Sequence, residues 1–258
     1  MSLQGLRAVI TGGAGGIGRA CAQHFLNAGA HVVIADTDLF ALEQAFQQLG
    51  ANNTLLHVLA CDITQPAQCQ KLIEQSVQCL GGPLDIFLAH AGVPFSGSLL
   101  EAQEKDIRSV IEVNVLGTIF SAQAALRSLI HGRQPSLLLT GSLQSVMGRA
   151  DRSVYTASKH AIAGLVKSLS LEMGPLGVRV NGIAPTVIDT PFFRQAIKNM
   201  AADAQQSLEK SAKSLPLGRI PNADDFARMA VFLVSDAAIN ITGQMMMIDA
   251  GATAGKFN

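Results

Sequence analysis

The sequence of 258 residues lacks several features that would have pointed to particular functions. There is no tryptophan, and Tyr155 is the single tyrosine. Charged residues make up 15%, against about 25% in ordinary soluble domains. Lys plus Arg equals Asp plus Glu at 19 each, and no basic run occurs. Nucleic acid and anionic membrane are therefore poor candidates for the main partner. Cys21, Cys61, Cys69 and Cys79 form no C-x-x-C pair, so they read as reduced thiols of a cytoplasmic protein. No apolar run reaches the roughly 18 residues of a membrane span, and no secretory signal opens the chain. The six histidines, at 24, 31, 57, 90, 131 and 160, show no H-E-x-x-H or similar ligand spacing, so no metal site is expected. No linker, low-complexity tract or repeat divides the chain. With 48% hydrophobic residues, it carries enough apolar surface to suggest subunit interfaces.

What is present is an alternation. Short apolar runs at Arg7–Thr11, His31–Asp36, Thr54–Cys61, Leu84–Ala89, Ser136–Thr140, Val178–Ala184 and Met245–Asp249 read as strands. Between them, amphipathic stretches at Ile17–Ala28, Leu39–Leu49, Pro66–Leu80, Glu104–Ile130, Val154–Met173 and Ala223–Val234 read as helices. Near-continuous apolar strands alternating with helices predict an α/β fold, a parallel sheet covered on both faces, in a single domain spanning 1–258. The exception is the stretch 186–220, which contains no strand; its middle, Phe192–Ala212, reads as helical. Such an excursion serves either as a substrate lid or as packing decoration.

The first strand runs into Thr11-Gly12-Gly13-Ala14-Gly15-Gly16-Ile17-Gly18 and then directly into a helix. A tight strand-to-helix turn, close backbone approach to a pyrophosphate and close helix packing all call for glycine. The helix N-terminus offers N–H groups and a positive dipole end to the anion. Asp36 closes the second strand, eighteen positions after Gly18. A carboxylate there can accept both ribose hydroxyls of an adenosine and repels a 2′-phosphate; the alternative is an ordinary turn or cap aspartate. Gly13, Ala14, Thr37 and Asp38 supply no cation for such a phosphate, so NAD is favoured over NADP.

Tyr155 precedes Lys159 by four residues, which places both on one face of a helix. A free phenol has a pKa of about 10, and a nearby cation lowers it, so the pair can serve as a general acid/base. Taken alone such a pair is usually a packed ring and a solvated charge. Ser142 lies thirteen residues earlier, after the fifth predicted strand.

With Thr11–Gly18, Asp36, Asn114, Ser142, Tyr155 and Lys159 in this order, the chain resembles the classical short-chain dehydrogenase/reductase family from Leu6 to Ala250. The resemblance implies a doubly wound (Rossmann) seven-stranded parallel sheet and hydride transfer between NAD(P)(H) and an alcohol/carbonyl pair. It implies that Tyr155 moves the proton, that Lys159 lowers its pKa and holds the nicotinamide ribose, and that Ser142 bonds the substrate oxygen. Asn114 would hold a water in a proton relay. Gly12, Gly16, Ile17, Gly18, Asp62, Ile63, Gly92, Pro185, Ile188 and Thr190 would complete the cofactor site. The family's Asn-Asn-Ala-Gly is here Ala89-His90-Ala91-Gly92. His90 would therefore lie along the cofactor, as a structural or a chemical histidine. Thr186 stands where the family has glycine.

For substrate the candidates are Gln144, Arg152 and Phe192, with Arg152 placed to meet a carboxylate. The expected partners are a small alcohol or ketone and further copies of the chain in a homotetramer, through Glu104–Ile130, Val154–Met173 and the Gln244–Ile248 segment. The rival functions are an NADPH-dependent 3-oxoacyl-type reductase, which Asp36 opposes, and an NAD-sensing protein without turnover, which would not need Ser142, Tyr155 and Lys159.

Overall fold

Seven strands form one parallel sheet: β1 (Arg7–Thr11), β2 (His31–Asp36), β3 (Leu56–Ala60), β4 (Ile86–Ala89), β5 (Ser136–Thr140), β6 (Arg179–Pro185) and β7 (Met245–Ile248). Their order is β3-β2-β1-β4-β5-β6-β7, and every pairing is parallel. The computed structural model describes residues 1–50, 53–190, 193 and 204–255. The winding reverses between β1 and β4, and such a switch point opens a crevice at the strands' carboxyl ends.

Strand periodicity divides the core. Ala8, Ile10, Val32 and Ile34 face one side, with Phe25 of α1 (Gly16–Asn27) and Phe226 of the last helix. Val9, Val33, Ala35 and Phe87 face the other, with Leu72, Leu129 and Val166. A strand buried on both faces cannot alternate apolar with polar, which is why these runs read as continuous. α2 (Leu39–Gly50) and α1 flank the first face. α3 (Pro66–Leu80) begins with Pro66, whose missing N–H costs nothing in a first turn, and ends at Gly81 with φ +70.

The predicted helix over Glu104–Ile130 is three pieces in line: α4 (Glu104–Ile111), a π-helical stretch (Glu112–Gly117) and α5 (Thr118–Leu129). Length and composition alone would let Glu104–Leu129 cross a membrane. Here it lies across the sheet and buries Val110, Ala122, Ala125 and Leu129. α6 (Ser153–Met173) packs beside it.

Of the helix predicted over 192–212, the described part is α7 (Ala204–Lys213). Leu208 and Leu215 are buried, and the segment's start is tied by Thr186 N–H donating to the Ile248 carbonyl (3.0 Å). α8 (Ala223–Val234) opens on a reciprocal cap, Asn222 with Asp225, and packs on α1.

At the amino end of the sheet, Asp85 is fully buried. It accepts from the Arg7 N–H (2.8 Å) and the Arg133 N–H (2.5 Å), and pairs with the Arg7 and Arg133 guanidinium groups at 3.4 and 3.7 Å. One carboxylate thus joins the starts of β1 and β4 to the turn before β5.

Candidate active site

The carboxyl ends of six strands open onto a cleft of about 440 Å3. Thr11, Asp36, Asp62, His90, Thr140 and Pro185 each reach its wall from the end of a different strand.

The glycine turn forms one end. Gly12 has φ +68, and a Cβ on it would stand 2.8 Å from the Ala91 Cα. A Cβ on Gly18 would strike the Gly12 carbonyl oxygen. Gly18 therefore lets α1 close on the turn, and it does not line the cleft, whereas Gly12, Gly16 and Ile17 do. Gly15 caps α1 with no side-chain hydrogen bond, so the first-turn N–H groups are left for an anion. This uncapped helix start, with glycine where a Cβ would clash, fits a pyrophosphate.

Asp36 lies beside it, its Oδ1 accepting from the Thr37 and Asp38 N–H groups (2.8 and 3.4 Å). Asp62 holds an Asx turn, accepting from Thr64 N–H and Oγ1 (2.9 and 2.7 Å), and Ile63 is buried next to it. Both residues line the same end.

At the other end Ser142, Tyr155 and Lys159 converge. Ser142 follows β5 and opens a short 3-10 turn, Leu143–Ser145, in which Ser142 and Ser145 cap each other. The Ser145 hydroxyl also donates to the Lys159 carbonyl (2.9 Å), fixing this turn on α6. The Ser142 hydroxyl donates to Gln144 Oε1 at 2.5 Å and hydrogen-bonds the Tyr155 phenol. Lys159 Nζ lies 5.6 Å from the Tyr155 ring centroid and donates to the Thr140 carbonyl (2.9 Å).

The electrostatics differ from the sequence expectation. Burial pushes the Tyr155 phenol up to about 12, opposed by the Ser142 hydrogen bond and the Arg152 charge. Lys159 does not dominate that balance. Burial pushes its own ammonium down to about 8, because a desolvated charge is disfavoured whichever sign it carries.

Asn114 lies in the π-helical stretch, buried and away from the cleft lining. Its Oδ1 accepts from the Val93 N–H (2.8 Å), and its Nδ2 donates to the Val93 carbonyl (3.0 Å) and Ser158 Oγ (3.3 Å). The side chain thereby locks the loop after β4 onto α6. Gly92 fits beneath it: a Cβ there would stand 3.1 Å from Asn114 Oδ1.

His90 is held on three sides. Its N–H donates to Thr11 Oγ1 (3.1 Å), its Nδ1 meets Thr140 Oγ1 (3.1 Å), and its ring stands edge-on to Phe226 at 5.7 Å. Burial and the Lys159 charge push its pKa down to about 4, so the ring is neutral near pH 7. Pro185, Ile188 and Thr190 line the wall above, and Thr190 Oγ1 accepts from the Phe193 N–H (3.3 Å). Gln144 and Arg152 line the same end, both buried. Phe192 lies outside the described residues.

The hydrogen-bonding roles of two threonines escaped the sequence reading, although Thr11 opens the glycine turn it singled out. Thr140 serves Lys159 with its carbonyl and His90 with its hydroxyl. Thr11 accepts from both His90 and Ala91 N–H groups (3.1 and 3.3 Å). Their one signal was a threonine as the last residue of a buried strand.

Comparison with known proteins agrees with this geometry. The family model described as Enoyl-(Acyl carrier protein) reductase matches residues 12–253. Secoisolariciresinol dehydrogenase of Forsythia intermedia is 33% identical over 96% of this chain and 89% of its own. The 2,5-dichloro-2,5-cyclohexadiene-1,4-diol dehydrogenase of Sphingobium indicum is 32% identical over 98% of both chains. Among solved structures, the 3-ketoacyl-(acyl-carrier-protein) reductase of Brucella melitensis, complexed with NADH, superposes with a TM-score of 0.89 at 26% identity, covering 98% of this chain and 100% of that one. A phenol, a serine and a lysine at the carboxyl edge of a seven-stranded doubly wound sheet, with relatives of this kind over nearly its whole length, make the chain a member of the short-chain dehydrogenase/reductase family, acting on CH–OH groups and their carbonyl counterparts.

Proposed function

We propose that the protein is an NAD-dependent dehydrogenase interconverting a secondary alcohol and its ketone. The reading rests chiefly on the hydrogen-bonded Ser142–Tyr155 pair in the same cleft as the uncapped start of α1 and the Asp36 carboxylate. Gly12, Gly16, Ile17, Asp36, Asp62, Ile63, His90, Gly92, Pro185, Ile188 and Thr190 would hold the dinucleotide. Gly18 and Asn114 would act from behind it. When bound, the nicotinamide supplies or accepts the hydride at the substrate carbon.

The chain's own groups manage the proton. Ser142 and Tyr155 would bond the substrate oxygen. Held neutral by burial, the phenol donates its proton as a ketone oxygen gains charge; in the other direction it must first lose that proton. Ser142 and Arg152 favour the ionised form, so oxidation should speed up and reduction slow down as pH rises. Lys159, buried and anchored on Thr140, would meet the ribose hydroxyls. Asp36 supports NAD over NADP, since a carboxylate at the ribose repels a 2′-phosphate. That argues against an NADPH-dependent 3-oxoacyl reductase. Exposed Leu116 and Leu171 on neighbouring helices support a homotetramer, and the free cysteines support a cytoplasmic location.

The test is an alcohol panel with NAD+ and NADP+, following reduced-cofactor absorbance, on the wild type and Tyr155→Phe. Turnover should fall by about a thousandfold or more in the variant while NADH still binds. Undiminished turnover, or a preference for NADP+, would reject the corresponding half of the reading.

A further inference from the structure

Ser142 carries one proton, and that proton is already committed. The 3-10 turn after β5 folds Gln144 back over Ser142. The Ser142 hydroxyl donates to Gln144 Oε1 at 2.5 Å, accepts from the Gln144 N–H at 3.4 Å and bonds the Tyr155 phenol. A hydroxyl has one donor and two lone pairs. With the proton on Gln144, the lone pairs serve the Gln144 N–H and the phenol, so Tyr155 is the donor in the bond they share. The resting chain runs from Tyr155 through Ser142 to Gln144, and Ser142 has no donor left for a substrate oxygen.

Gripping a ketone oxygen, or the oxygen of an alcohol about to lose its hydride, needs that proton. Ser142 must turn it from Gln144 to the substrate, which takes the donor away from Gln144 Oε1. Gln144 is 9% exposed and lines the cleft, and a buried carbonyl stripped of its donor is costly. A substrate with a second hydroxyl on the carbon beside the reacting one removes that cost. Oxygens on adjacent carbons stand about a hydrogen-bond length apart, close to the 2.5 Å between Ser142 Oγ and Gln144 Oε1. One oxygen can therefore meet Ser142 while the other donates to Gln144.

We infer that the substrate is a vicinal diol, or the matching α-hydroxy ketone, whose reacting oxygen takes the Ser142 proton while its neighbouring hydroxyl donates to Gln144 Oε1. The Ser142–Gln144 bond is given up, and bonds to both substrate oxygens replace it. Gln144 thereby selects among secondary alcohols by requiring a donor beside the reacting carbon. The inference rests on the dehydrogenase reading above and narrows its substrate class.

The experiment sets butane-2,3-diol and cyclohexane-1,2-diol, with NAD+ and the intact protein, against the mono-alcohols and mono-methyl ethers of the same carbon skeletons. The ether keeps the second oxygen but cannot donate. The diols should exceed both comparators in kcat/KM by about 30-fold, since a site built for a hydroxyl rejects the analogue without it. Gln144→Met, which removes the acceptor, should bring that ratio close to one by weakening the diol and improving the mono-alcohol. Gln144→Glu keeps an oxygen acceptor and should hold the ratio, while its charge disfavours the phenolate and moves the rise of oxidation to higher pH. Loss of the ratio in Gln144→Glu as in Gln144→Met would put an amide N–H in the role and overturn the inference. A merely structural role, in which Gln144→Met slows every substrate alike and leaves the ratio intact, would overturn it as well. Mono-alcohols or ethers turned over as well as diols by the wild type would do so without any variant, with the dehydrogenase reading standing. No turnover of any alcohol, with NADH still bound, would reject both.

Discussion

The two ends of the sheet handle buried charge in opposite ways. At the amino end, Asp85 is fully buried and meets two arginines and two backbone N–H groups. At the carboxyl end, the buried Lys159 ammonium bonds to the carbonyl oxygen of Thr140. The first arrangement is closed: opposite charges cancel and the strands are pinned. The second orients an ammonium on a carbonyl dipole, at the cost of desolvating it. A charge cancelled inside the protein pins strands, whereas an ammonium held on a carbonyl keeps its positive charge at the cleft wall.

That contrast can be broken from either end. The largest effect is expected from Lys159→Met, which should lower turnover by about a thousandfold while leaving the unfolding midpoint near or above wild type, because a costly buried ammonium is removed. A large loss of stability with activity retained would reverse the assignment of the two ends. Asp85→Ala should do the opposite, costing about 3 kcal/mol in denaturant unfolding by stranding Arg7 and Arg133. Turnover by the molecules that remain folded should be unchanged.

His90 sharpens the comparison, since it lies at the functional end yet is held neutral by burial. Its folded pKa, about 4, lies below the unfolded value of about 6.5. Between those values the unfolded chain binds more protons, so stability falls as pH drops through the window, by up to about 3 kcal/mol from this group. His90→Asn should flatten that dependence in unfolding measured across the window, whatever its offset at neutral pH. The smallest effect is expected at Arg108, paired with Glu104 at 2.7 Å on an open helix face. Arg108→Ala should change stability by about 0.3 kcal/mol, within the noise of the other three.

The strands were legible because a strand buried on both faces is apolar throughout, and the glycine turn because its backbone path excludes side chains. Strand ends shifted by one or two residues: Thr54–Cys61 became Leu56–Ala60, and Leu84–Ala89 became Ile86–Ala89. Helical periodicity gave Glu104–Ile130 as one helix and could not show the π-helical stretch around Asn114, since a run of six residues leaves the apolar stripe readable. Ser142, Tyr155 and Lys159 were found by spacing, yet their electrostatic balance depends on burial, which spacing does not carry. The side-chain roles of Thr11 and Thr140 were missed because their partners lie up to 80 residues away in sequence.

The solitary tyrosine has a practical consequence. With no indole in the chain, near-ultraviolet absorption and emission of the folded protein report chiefly on Tyr155, the group proposed above to handle the proton. Its ionisation can be followed optically without labels, and quenching by a reduced dinucleotide would be read at the phenol beside Ser142.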